Sequence, residues 1–328
     1  MSTSVSERLR RRRTALGVTG LVLIGLSMLL LASYRRDIRG AHARLASGSS
    51  GVQTDCGTIE FAAAGEGTPV LVVHGSGGDH DQGLDMVAPL SDSGFRIIAL
   101  STFGYLGTPL PSDASAAAPA DAHACLLDAL DIERVPIIDG SAGAPSAMQF
   151  APRHPDRISA LLLLVPAAYA RRNDDEEVTM SPVAQFLFAT ALRSDFLFWL
   201  ANKISPDTLI EVLLATPPEV VKAADLDEQQ RVKRVLDQIM PVSQRRSGLL
   251  NDVAISTSVP RYDLEQIKAP TLAVSVGDDL FGTFESARYT AEHIPGGRFI
   301  GYPSGGHIWA GHHQDLMNAF AEFLRENP

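Results

Sequence analysis

Five short runs in this chain, PVLVV, FRIIALS, RVPIIDG, ISALLLLVP and PTLAVSVG, are apolar at nearly every position. Runs of this length are too short for core helices and read as strands buried on both faces. GRFIGYPS repeats the pattern near the C-terminus, and VQTDCG with TIEFAAAG reads as a hairpin ahead of the series. Amphipathic stretches at 83–90, 120–130, 142–151, 284–293 and 314–325 separate the runs and read as helices. Alternation of this kind predicts an α/β fold, a mostly parallel sheet with helices on both faces.

One interval breaks the alternation. Between Pro166 and Pro270 about a hundred residues pass without a clear core strand, long enough for a functional cap rather than a passive loop. The expected organisation is a core of residues 53–169 and 269–328 with a helical cap insertion at 170–268. The cap carries an apolar stripe of Phe186, Phe188, Phe196, Phe198 and Trp199, read as packing that in part faces the site.

The N-terminus has a separate logic. Residues 14–34 carry no charge over 21 positions, about 31 Å as a helix, which matches a hydrocarbon core of roughly 30 Å. A basic tail at 1–13 precedes this transmembrane helix, and a juxtamembrane linker is expected over 35–52, with 45–52 flexible. A cleaved signal peptide ending near Ala41–Ala43 is the competing reading, disfavoured because Arg35, Arg36 and Arg39 separate the apolar stretch from that site. A twin-arginine signal in the RRRRT run is a weaker one. The dense Arg10–Arg13 cluster favours the tail inside and the body on the non-cytoplasmic side of a single-pass protein.

Charge narrows the partners. Residues 1–44 hold nine arginines against Glu7 and Asp37, a net of +7, so the remainder carries −17 to reach the chain's −10. An acidic body repels a phosphate backbone, so the expected partners are the lipid bilayer and a small substrate, with no nucleic acid. The two cysteines, Cys56 and Cys125, read first as small buried hydrophobes, with a single bridge in an oxidising compartment as the alternative.

The chemistry concentrates at strand ends. Asp139-Gly140-Ser141-Ala142-Gly143 joins the end of RVPIID to a helix, and a serine among small residues at such a turn is the pattern of a nucleophile elbow. Upstream, His74-Gly75-Ser76-Gly77-Gly78 follows VLVV, a glycine-rich loop suited to turning N–H groups toward an oxyanion. Downstream, Asp278-Asp279 follows TLAVSVG and Gly305-Gly306-His307 follows GRFIGYPS. Serine is a poor nucleophile at neutral pH and needs an imidazole base, which in turn needs a carboxylate to fix its tautomer.

The run VLVVHGSGG, the elbow IIDGSAGAPSA, the phrase RHPDRISALLLL, the segment SVGDDLFGTFESARYTAEHIPGGRF and the closing GGHIW together resemble the α/β-hydrolase superfamily over about residues 52–326. The resemblance implies a catalytic triad of Ser141, Asp279 and His307, with an oxyanion hole at the backbone N–H groups of Ser76 and Ala142. His74, Gly75 and Gly77 then orient that loop or contact substrate. The family's G-x-D-x-x-x-P stretch keeps Gly277 but has Thr283 in place of its proline, so Asp278 stands as the second candidate acid. Asp139 also departs from the pattern, taking the place of a Gly or Ala. A carboxylate there must be hydrogen-bonded or protonated. Toleration is the first reading, with raising the basicity of a neighbour and replacing the triad acid as the alternatives.

The remaining histidines lack the partners a metal site needs, no GxGxxG follows a strand, and no metal or cofactor is expected. The expected activity is a membrane-anchored serine hydrolase acting on a small apolar acyl or aromatic ester-like substrate. Carbon–carbon bond hydrolysis and cofactor-free perhydrolysis use the same triad, and a non-catalytic binding or sensing module is the alternative from another class.

Overall fold

The computed structural model describes residues 3–169 and 191–328. Eight strands form one sheet: β1 (Ser49–Thr54), β2 (Gly57–Ala64), β3 (Thr68–Val73), β4 (Phe95–Leu100), β5 (Val135–Gly140), β6 (Ile158–Leu164), β7 (Thr271–Val276) and β8 (Arg298–Tyr302). Their order is β1-β2-β4-β3-β5-β6-β7-β8. β1 and β2 pair antiparallel, β2 pairs antiparallel with β4, and every other neighbour is parallel. Every residue of β5, β6 and β7 is buried, which is why those runs show no polar alternation.

The sheet separates two apolar layers because successive side chains point to opposite faces. Leu71, Val73, Ile137, Leu161 and Leu163 pack against α3 (Ala117–Ala129), α4 (Ala144–Arg153) and α10 (Thr283–His293). Val70, Val72, Ile138, Leu162 and Val274 face α2 (His80–Met86) and α11 (His313–Glu326). Strand order reverses between β3 and β5, so the loops after these two strands diverge and leave a crevice at their carboxyl ends.

The described part of the cap is helical: α5 (Asp195–Ile204), α6 (Pro206–Leu213), α7 (Pro218–Ala223), α8 (Leu226–Gln238) and α9 (Arg246–Ser256). Phe186 and Phe188 lie outside the described residues, whereas Phe198 and Trp199 are buried in packing. The cap is tied to the core by an ion pair between Arg245 and Asp79, both fully buried.

Residues 35–52, expected as a linker, are largely regular structure: α1 runs unbroken from Thr3 to Ala46, and β1 begins at Ser49. Ala, Leu and Arg in this stretch are good helix formers. One expectation is corrected. The two cysteines are not independent hydrophobes: Cys56, in the β1–β2 turn, is bridged to Cys125 on α3 with Cα atoms 6.1 Å apart. The hairpin folds onto α3, an approach that a sequence separation of 69 conceals. By length and composition, residues Gly17–Ala46 of α1 form a helix able to cross a membrane.

Candidate active site

The turn after β5 explains its own residues. Ser141 has φ of 50°, a left-handed conformation that a side chain adopts only at a cost. A Cβ on Gly143 would lie 2.9 Å from the His74 carbonyl oxygen and 3.0 Å from that of Val73, so the helix meets the neighbouring strand only through glycine. The Ala167 N–H donates to the Ser141 carbonyl (2.9 Å), anchoring the elbow to the chain beyond β6.

Three distant side chains meet there. Nε2 of His307 lies 2.8 Å from Ser141 Oγ, and Nδ1 of the same ring lies 2.8 Å from Asp279 Oδ2. The ionised carboxylate can only accept, so Nδ1 carries the proton and Nε2 is left to accept from the serine hydroxyl. Burial alone would raise Asp279. The charge and hydrogen bond of His307, with the Thr283 hydroxyl and the Phe281 amide, outweigh it and hold the carboxyl below its usual range. Thr283, the residue that replaces proline, therefore has a role: its hydroxyl donates to Asp279 Oδ2 and sits 2.8 Å from Ser275 Oγ.

Asp278, the second candidate acid, does not meet the imidazole. Its Oδ1 accepts from the N–H groups of Gly305 (2.9 Å) and Gly306 (2.7 Å), holding the loop that presents His307. The two neighbours diverge because a tight turn sends their side chains to different partners.

The loop after β3 is fixed from three sides. His74 Nδ1 lies 2.7 Å from the Gly75 carbonyl, while Nε2 accepts from the Thr102 N–H (3.0 Å) and hydroxyl (3.1 Å). Those partners require the neutral ring protonated on Nδ1, and burial above all lowers its pKa to about 4. Gly75 N–H donates to Gln82 Oε1 (3.1 Å), and Gly77 N–H donates to the Tyr105 hydroxyl (2.9 Å). The amides of Ser76 and Ala142 have no acceptor among the described residues. A Cβ on Gly75 would sit 3.3 Å from Ser141 Cβ, so this loop and the elbow are in close approach.

Asp139 is fully buried and neither of its oxygens has a hydrogen-bond partner. Its strand partners are Val73 and Leu163, and this apolar burial pushes its carboxyl well above the usual range, toward the neutral acid. It does not replace Asp279, which is the carboxylate that His307 meets.

Several site residues gave no signal in the sequence. Ala215, between α6 and α7, has φ of 41°, and its carbonyl accepts from both Leu280 N–H (3.0 Å) and His307 N–H (3.3 Å). One cap residue thus holds the acid loop and the histidine loop together. On α8, Arg231 donates to the Ile308 carbonyl (2.7 Å) and pairs with Glu228, which accepts from Gly311 N–H (2.9 Å). Tyr105 and Asp252, 147 positions apart, are joined by a 2.6 Å hydrogen bond. None of these follows from local pattern, because each is created by the cap closing on the core.

Residues 68–310 match the alpha/beta hydrolase fold family. A hydrolase from Bacillus subtilis (strain 168), YcgS, is 29% identical over 269 residues, covering 78% of this chain and 91% of its own length. A 2-hydroxy-6-oxo-6-phenylhexa-2,4-dienoate hydrolase from Comamonas testosteroni is 30% identical over 113 residues, 33% of this chain and 40% of that enzyme. Among solved structures, an alpha/beta hydrolase fold protein from Nakamurella multipartita superposes with a TM-score of 0.67 at 28% identity, covering 85% of this chain and all of that one (100%). A family match across most of the chain, on a mostly parallel eight-stranded sheet with a serine elbow at its switch point, establishes that this protein belongs to the α/β-hydrolase superfamily.

Proposed function

We propose that this protein is a membrane-tethered serine hydrolase that cleaves ester-like acyl substrates through an acyl-enzyme on Ser141. The supporting observation is the continuous hydrogen-bonded chain from Ser141 Oγ through His307 to Asp279, beside the unengaged amides of Ser76 and Ala142. Ser141 Oγ attacks the carbonyl carbon and His307 Nε2 takes its proton, while Asp279 stabilises the imidazolium. The carbonyl oxygen becomes an oxyanion that the two amides stabilise; loss of one such donor costs ~10²–10³ in rate. The imidazolium gives its proton to the leaving alcohol. Water, deprotonated by the same nitrogen, then hydrolyses the acyl-serine and frees the acid.

Phe281 is 57% exposed, with its ring edge against the His307 imidazole at a centroid distance of 4.8 Å. An exposed aromatic at that position suits a small apolar acyl or aromatic group. The carbon–carbon hydrolase reading draws on the Comamonas relative, which covers a third of this chain (33%). Placement of the body on the non-cytoplasmic side draws on the arginine-rich tail and on the Cys56–Cys125 bridge, which suits an oxidising compartment.

The test is turnover of a p-nitrophenyl ester chain-length series by full-length protein in detergent. We expect hydrolysis that falls by roughly 10³-fold or more in Ser141→Ala and in His307→Ala. Intact, folded protein that hydrolyses no ester, or does so equally without Ser141, favours the non-catalytic binding module.

A further inference from the structure

Beside Ala142 opens a narrow cleft whose walls come from both core and cap. Its lining is largely apolar, Phe103 and Ile255 among it, and its polar atoms come from His74, Thr102, Ser146, Asn251 and Asp252. Most of these are already committed. Both nitrogens of His74 are engaged, by Gly75 and Thr102. The Ser146 hydroxyl donates to the Gly143 carbonyl (2.9 Å) and lies 3.0 Å from His123 Nε2.

Asp252 differs. Its Oδ2 accepts from the Tyr105 hydroxyl (2.6 Å), which itself accepts from the Gly77 N–H (2.9 Å). Tyr105 is fully buried, so this acceptor chain fixes the carboxylate in register with the loop that carries Ser76. A carboxylate has about four acceptor positions, and the Tyr105 hydroxyl fills one of them. Burial raises its pKa to about 7, so above neutrality the cleft holds a negative charge. No lysine or arginine lines the cleft among the described residues, and His74 is neutral.

We propose that Asp252 sets substrate choice: its carboxylate, fixed by Tyr105 in the wall of this cleft, receives a hydroxyl or ammonium group of the substrate and turns away substrates bearing a carboxylate there. This rests on the hydrolase reading and narrows it to esters or lactones that carry a hydrogen-bond donor.

The experiment compares matched substrates at about pH 8: a hexanoate ester, its ω-hydroxy and ω-ammonium forms, and the ω-carboxylate adipate half-ester. A parallel set carries the same groups on the alcohol side. In one of the two sets, the hydroxy or ammonium form is expected to exceed the carboxylate form in kcat/KM by about tenfold or more, since a charge-assisted hydrogen bond is worth at least that. Asp252→Asn, which keeps an acceptor for Tyr105, is expected to bring that ratio toward one. Equal turnover of all forms by the wild type, or a ratio unchanged in Asp252→Asn, overturns the proposal. Calorimetric titration of the Ser141→Ala protein with the ammonium and carboxylate forms reads selection without turnover. Tighter ammonium binding supports the proposal even if Asp252→Asn fails to fold, and equal binding overturns it. Absence of all ester turnover would refute the hydrolase reading alone.

Discussion

Asp139 offers the sharpest stability prediction, because a carboxyl with no partner, two residues before Ser141, is there at a measurable cost. Removing it by Asp139→Ala deletes an unbonded buried polar group, a change worth about 1–3 kcal/mol in favour of the variant, less the cost of the small void. The pH dependence is more diagnostic. The folded-state pKa is raised well above 3.8, so over the interval between the two values the folded state holds a proton that the unfolded chain has lost. The stabilising effect of protonation is complete below the unfolded value and drains as pH rises toward the folded one, by about 1.4 kcal/mol per unit. Wild-type stability should therefore fall relative to Asp139→Ala from about pH 5 upward, by roughly 2–3 °C in melting temperature per pH unit. Thermal melts of both proteins across a pH series in one detergent make the comparison, and all other titrating groups cancel. A difference that stays flat with pH, or narrows, would show that Asp139 is ionised and partnered in the fold. Turnover should survive the substitution, since Asp139 contacts no member of the Ser141–His307–Asp279 chain.

Other substitutions probe the supports of the site. Thr283→Val removes the hydroxyl that donates to Asp279, and kcat is expected to fall several-fold with KM little changed; steady-state kinetics with unchanged kcat would remove Thr283 from the arrangement. Arg231→Met leaves Glu228 without its cation and the Ile308 carbonyl without its donor, so urea unfolding should show a loss of about 3 kcal/mol, accompanied by a drop in kcat. Equal stability would mean that α8 does not brace the histidine loop. Opening the Cys56–Cys125 bridge with reductant, or by Cys56→Ser, frees a loop spanning 69 positions and should cost about 4 kcal/mol, read as a lower melting temperature.

How much of this was legible in the sequence depends on how local each cause is. The buried strands were legible because a strand covered on both faces has no polar positions, as in Ile158–Leu164. The elbow was legible because its backbone excludes side chains at Gly143, and that constraint is written into the residues themselves. His307 and the aspartate pair were found because strand ends in such a sheet converge. Which aspartate meets the imidazole was not settled by the residues alone: Asp278 and Asp279 are chemically identical neighbours, and only the fold sends one to Gly305 and Gly306 and the other to His307. The cap's contribution through Ala215 was invisible, since a backbone carbonyl carries no side-chain signature. The cysteine pair and the Tyr105–Asp252 contact were hidden by sequence distance, and the continuation of α1 to Ala46 because its residues turn polar without leaving the helix.

The central claim, that His307 activates Ser141 for attack on an acyl carbon, is met most directly by a fluorophosphonate probe followed by intact-mass and peptide mapping. The account predicts one adduct per chain, carried on Ser141, formed slowly or not at all in His307→Ala and absent in Ser141→Ala. Folded protein that takes up no probe, or that is labelled at the same rate without His307, would contradict it.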